Sequence, residues 1–187
     1  MNGVLSANSV NKRFNFSVKP SNVRPLTGRS IENMTTPQTE LYQQLQQQAA
    51  ALLDNETDMI ANMANLSALI FNTLPQLNWA GFYIMRSGEL VLGPFQGQVA
   101  CVRIPVGKGV CGTAVATGNT QRIGDVHAFP GHIACDAASE SEIVIPVFRG
   151  QEIIAVLDID SPVLNRFDAN DQQQLEQLVR LFERTLI

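Results

Sequence analysis

Trp79-Ala80-Gly81-Phe82-Tyr83-Ile84-Met85, Arg86-Ser87-Gly88-Glu89 and Leu90-Val91-Leu92-Gly93-Pro94-Phe95 form two apolar, aromatic runs joined by a short polar turn. Aromatic and branched side chains suit a pleated, half-buried surface. Gly88 supplies the positive φ that a tight turn between antiparallel neighbours requires. The segment is therefore a β-hairpin, and the rest of the chain is read outward from it.

Downstream, Ala100 to Ile104 reads as a third short strand stopped by Pro105. Gly107-Lys108-Gly109 then turns into a helix from Val110 to Thr117, closed by Gly118. Thr120 to Ile123 is a further strand. Gly124 to Ser141 has no periodicity and contains Pro130 and Gly131, and loops of that length in compact domains are usually functional. A second hairpin follows, with Ile143 to Phe148 and Ile153 to Ile159 joined by Arg149-Gly150. Asp168 caps a last helix whose Leu175, Leu178, Val179 and Phe182 fall at helical spacing.

Upstream, Leu41, Leu45, Ala49, Leu52 and Leu53 form one stripe of a surface helix starting at Gln38. Asp54-Asn55-Glu56-Thr57 breaks and re-caps the chain. A more buried helix then carries Met59, Ile60, Met63, Leu66, Ala68, Leu69 and Ile70, and ends before Pro75. Met1 to Asn33 shows neither periodicity and is expected to be a disordered extension before a plausible start at Met34. A transit peptide is its functional rival, but no amphipathic stripe supports one. The order of elements gives an α+β class, a mostly antiparallel sheet covered by helices, with residues 34–187 as one domain.

The 187 residues suffice for one sizeable core, and a formal charge of −4 leaves no basic footprint for nucleic acid or an anionic membrane. No apolar run reaches the roughly 20 residues of a membrane span, and no secretory signal is evident. Three cysteines, an odd number, are better read as thiols available for chemistry than as a structural framework, and a cytoplasmic protein is expected.

Those cysteines, Cys101, Cys111 and Cys135, fall in the middle of the chain beside Glu142, Asp158 and Asp160. A thiol attacks as thiolate, and a helix N-terminus lowers its pKa, which favours Cys111; Cys135 lies in a polar loop. Lone cysteines are more often small buried hydrophobes, but three so close together weaken that interpretation. His127, His132, Cys135 and Cys111 do not have the spacing of a structural zinc site, so no metal is expected. Gly107 to Thr113 fails as a phosphate loop because Gly112, not Lys, precedes Thr113. Acids at strand ends are usually solvated, but if these three converge they raise one another's pKa or hold a cationic ligand. Trp79 and Tyr83, four apart on one strand, share a face and form either core or an aromatic wall.

The segments Asn78-Trp79-Ala80-Gly81-Phe82-Tyr83, Leu92-Gly93-Pro94-Phe95-Gln96-Gly97, Cys101-Val102-Arg103-Ile104-Pro105, Gly109-Val110-Cys111-Gly112-Thr113-Ala114, Gly131-His132-Ile133-Ala134-Cys135-Asp136 and Val156-Leu157-Asp158-Ile159-Asp160-Ser161 together closely resemble the free methionine-(R)-sulfoxide reductases, which are single GAF domains. The resemblance covers about Gln38 to Leu186, and general GAF modules lack this cysteine set. It implies a six-stranded antiparallel sheet with helices packed on it and a small pocket closed by the Cys135 loop. It also implies a nucleophile at Cys135, a resolving thiol at Cys101 and an auxiliary one at Cys111. Trp79 and Tyr83 would wall the substrate methyl group, while Glu142, Asp158 and Asp160 would bind the sulfoxide and the ammonium. The implied partners are free methionine (R)-sulfoxide and thioredoxin or a similar dithiol as reductant, with no bound cofactor and room for a homodimer. The alternative is a sensory module for a small molecule such as a cyclic nucleotide, because Asn165-Arg166-Phe167-x3-Asp171 partly matches the signature of those members, with Gln172 in place of a Glu.

Overall fold

The first hairpin supplies two of the six strands of an antiparallel sheet. The computed structural model describes residues 37–131 and 137–186, so the expected 1–33 extension lies outside it. Along the chain come α1 (Pro37–Leu53), α2 (Met59–Thr73), β1 (Trp79–Arg86), β2 (Glu89–Gly97), β3 (Arg103–Pro105), α3 (Gly109–Thr117), β4 (Gln121–Ile123), a 3-10 turn (Val126–Ala128), β5 (Ser141–Arg149), β6 (Glu152–Ser161) and α4 (Ala169–Glu183). The sheet order is β3-β2-β1-β6-β5-β4. Among the described residues no helix is long and apolar enough to cross a membrane.

Alternation along the strands divides the core in two. Ala80, Phe82, Ile84, Ile143, Ile145, Leu157 and Ile159 pack under α1, α2 and α4. Trp79, Tyr83, Val144 and Val156 face the other way, against Val110, Cys111 and Ala114 of α3. Full burial of such a side chain contributes roughly 1.5–3 kcal/mol, so both layers hold the sheet in place.

Three details depart from the sequence expectations. β3 begins at Arg103 rather than Ala100, because the preceding backbone is held by side chains of β1, as described below. The N-cap of α2 is Asp58, which accepts a hydrogen bond from the Ala61 amide at 2.8 Å. Leu52 is exposed, and Tyr42 takes its place in the core of α1.

Tyr42 is buried because a partner awaits its hydroxyl. It donates to Asp171 Oδ1 at 2.6 Å, joined there by Gln38 Nε2 at 3.0 Å, while Arg166 Nη1 pairs with Oδ2 at 3.1 Å. Asp171 also completes a capping box with Asp168 at the start of α4. The Asn165 to Asp171 motif thus fastens α1 to α4, with Arg166 and Asp171 bonded to the protein itself.

Candidate active site

Strand register assembles the site. In one row across three strands, Trp79 pairs with Asp160 and Asp160 with Glu142; in the next, Gly81 pairs with Asp158 and Asp158 with Val144. Directly opposed residues share a face of the sheet. These two rows bring the three acids and Trp79 to the side covered by α3, and a third row, in which Tyr83 pairs with Val156, adds the second ring.

The wall is larger than the sequence suggested. Trp79 stacks on Tyr83 with ring centroids 5.8 Å apart and on Phe95 at 5.3 Å. Gly81 makes room for this: a Cβ there would lie 2.3 Å from Phe95 Cβ and 2.7 Å from Trp79 Cη2. Sequence inspection missed Phe95, although its register opposite Gly81 is the signal that marks it.

Cys111 sits on the first turn of α3, which presses so closely on β3 that a Cβ at Gly112 would meet the Pro105 carbonyl at 2.4 Å. Its thiol lies 3.9 Å from Glu142 Oε1, and Cys111, Glu142 and Asp158 bring their donor atoms within 4.8 Å of one another. Burial pushes the Cys111 thiol well above its ordinary pKa, with the Asp158 and Glu142 charges adding to it. The helix N-terminus does not activate this thiol, contrary to expectation, because desolvation outweighs it.

The acids are shifted in the same direction. Burial first, then the Asp158 and Asp160 charges, lift Glu142 well above the carboxylate range. Burial pushes Asp158 up to about 6, opposed by hydrogen bonds from Cys111 and Glu142. Both carboxyls are thus displaced upward, and as close neighbours they titrate as a pair. Tyr83 is held protonated by burial and by Asp158.

Cys101 is disulfide-bonded and Cys111 is a free thiol. Both aromatic side chains hold the segment that carries Cys101, since Trp79 Nε1 donates to the Gln98 carbonyl at 3.2 Å and the Tyr83 hydroxyl to the Cys101 carbonyl at 3.0 Å. Cys135 and His132 lie outside the described residues. The base of their loop is closed beside the acids: the Val126 amide donates to the Glu140 carbonyl at 2.9 Å, the Glu140 amide to Ser161 at 2.8 Å, and Asn78 Nδ2 to Ser139 Oγ at 2.9 Å. His127 pairs with Glu140 at 3.5 Å on the surface. Asn78 and Ser139 are further residues that sequence inspection did not single out for the site.

A single antiparallel sheet with α3 and a buried acid-and-thiol cluster on one face, and three helices on the other, is the architecture of a GAF domain. The GAF domain family model matches residues 61–186. The chain is 57% identical over 148 residues to the free methionine-R-sulfoxide reductase of Escherichia coli strain K12, covering 79% of this chain and 90% of that one. The structure of fRMsr of Staphylococcus aureus in complex with substrate is similar with a TM-score of 0.76 at 55% identity, covering 78% and 95%. That of free methionine-R-sulfoxide reductase from Neisseria meningitidis in complex with its substrate is similar with a TM-score of 0.78 at 42% identity, covering 84% and 95%. The chain belongs to the free methionine-R-sulfoxide reductase family of GAF domains.

Proposed function

We propose that this protein reduces free L-methionine (R)-sulfoxide to methionine. The observation that carries this is the buried convergence of Glu142, Asp158 and Cys111 beside the Trp79, Tyr83 and Phe95 wall. An apolar wall suits a methyl group, and clustered acids suit an ammonium and a sulfoxide oxygen. Asp160 lies in the same row as Trp79 and Glu142 and is assigned with Asp158 to the ammonium.

Glu142 gives its proton to the sulfoxide oxygen, which makes the sulfur electrophilic. Cys135 attacks that sulfur as thiolate, methionine leaves, and Cys135 is left as a sulfenic acid. Cys101 then displaces water to form a disulfide; in sum one sulfoxide and two thiols give one thioether, one disulfide and water. The disulfide-bonded state of Cys101 beside a free Cys111 supports Cys101 as the resolving partner, with Cys111 auxiliary. An external dithiol of the thioredoxin type resets the enzyme by thiol–disulfide exchange. No prosthetic group is required by this sequence of steps.

The test is thioredoxin-coupled turnover of resolved R and S epimers, each free and as the N-acetylated, amide-capped derivative. Only the free R epimer should be consumed, because a buried acid left without its ammonium rejects a ligand by as much as ~10⁴-fold. Comparable rates on the S epimer or the capped compound would overturn this arrangement of the pocket. Cys135→Ser should abolish methionine release even in a single turnover, whereas Cys101→Ser should release roughly one methionine per subunit and then stall. Normal turnover by Cys135→Ser would remove it as the nucleophile.

A further inference from the structure

Three donors of mixed softness, Cys111 Sγ and one oxygen each of Glu142 and Asp158, lie within 4.8 Å of one another, on residues that are 3%, 6% and 6% exposed. A second observation points to a ligand. The hydrogen bonds from Cys111 and Glu142 leave one oxygen of the Asp158 carboxyl unmet, since Oδ1 is buried with no hydrogen-bond partner among the described residues, and neither Asp158 nor Glu142 forms an ion pair there with an arginine, lysine or histidine. A buried carboxylate oxygen without a partner is costly, and a cation is the group that satisfies it most completely.

The spacing fits a small ion. With zinc bonds of about 2.3 Å to sulfur and about 2.0 Å to oxygen, tetrahedral donors stand roughly 3.5 Å apart. The Cys111 Sγ to Glu142 Oε1 distance of 3.9 Å is within a small side-chain adjustment of that. One thiolate with two carboxylates selects a borderline-soft divalent ion over magnesium or calcium, which take oxygen alone. Three protein donors also leave a fourth position open for water. The donor set differs from the one weighed in the sequence, since His127 is at the surface with Glu140.

We propose that in the reduced protein Cys111, Glu142 and Asp158 form a three-donor site for a thiophilic divalent cation of the zinc class, which occupies the pocket in competition with an ammonium-bearing ligand. Binding exchanges protons on the donors for the metal and moves no electrons. It also gives Cys111 a role apart from disulfide chemistry. Metal binding stands independently of the reductase activity; only the competition rests on it.

The test uses the full chain, reduced and without oxygen, titrated with Co²⁺ as a spectroscopic stand-in and then with Zn²⁺ to displace it. A thiolate-to-cobalt charge-transfer band should appear in wild type, Cys101→Ser and Cys135→Ser and be absent from Cys111→Ser. Glu142→Gln and Asp158→Asn should each weaken zinc affinity by more than about tenfold, as loss of a metal-supporting group does. Adding free methionine (R)-sulfoxide to the cobalt form of Cys135→Ser should bleach the band. Absence of any band in wild type, or a band that survives Cys111→Ser and disappears in Cys101→Ser or Cys135→Ser, would overturn the site. X-ray absorption of the wild-type zinc complex needs no variant: one sulfur at about 2.3 Å with the remaining donors oxygen is expected, and two or more sulfurs would refute the assignment.

Discussion

The Tyr83 hydroxyl donates to the backbone carbonyl of Cys101 at 3.0 Å, so a residue of the aromatic wall also holds the backbone of the disulfide-bonded cysteine. With Trp79 Nε1 on the Gln98 carbonyl, the 98–101 segment is gripped at both ends. A net hydrogen bond of this kind contributes about 1 kcal/mol, or roughly fivefold in a rate. Tyr83→Phe keeps the ring and loses the grip. First-turnover methionine release should stay near wild type while disulfide closure slows by roughly that factor, followed by quenched-flow methionine and free-thiol counts. Slower release with unchanged closure would show that the hydroxyl serves the substrate instead.

Gly81→Ala places a methyl group where Phe95 Cβ and the Trp79 ring already stand. Overpacking of this kind costs about 1–3 kcal/mol, and the displaced indole should raise KM more than it lowers kcat. Trp79 is the single tryptophan, so its emission reports this wall alone. An unchanged spectrum and urea midpoint would mean that the rings are not packed as described.

Stability should depend on pH through Asp158. Its folded pKa of about 6 lies above the ordinary 3.8, so the folded state binds the proton more tightly than the unfolded one. That contribution is fully present below the unfolded value and is lost as pH rises through about 6. Asp158→Asn should therefore flatten the fall in unfolding free energy between about pH 4 and 6 and stabilise the protein at pH 8, by a few kcal/mol at most. Urea titrations across that range check the sign; a variant less stable than wild type at pH 8 would contradict it.

Tyr42→Phe removes a 2.6 Å hydrogen bond to the Asp171 carboxylate, and bonds to charged groups contribute about 1.5–3 kcal/mol. Arg166→Ala leaves Asp171 charged and buried and should cost about 3–5 kcal/mol. Both losses should appear in urea unfolding, with Tyr42→Phe keeping full turnover. Saturable cyclic-nucleotide binding abolished by Arg166→Ala would instead revive a sensory role for this motif.

The elements that the sequence revealed are those set by local chemistry. The Ser87-Gly88 turn has φ values of 51° and 85°, Asp168 caps α4, and Trp79 and Tyr83 share a face through simple alternation. What escaped depends on partners distant in sequence. The start of β3 is set by hydrogen bonds from Trp79 and Tyr83, and Tyr42 turns inward because Asp171 lies 129 residues away. The resting state of Cys111 follows from how deeply α3 is seated, which spacing alone cannot report. The convergence of the acids follows from the β1, β6 and β5 register, and the sequence supplied only the condition that they meet.

The sheet also acts as a partition. α1 and α4 belong to the layer under one face, while α3 and the acids occupy the other. A change in the helical layer is therefore separated from the acids by the full thickness of the sheet, and reaches them only by shifting the strands themselves.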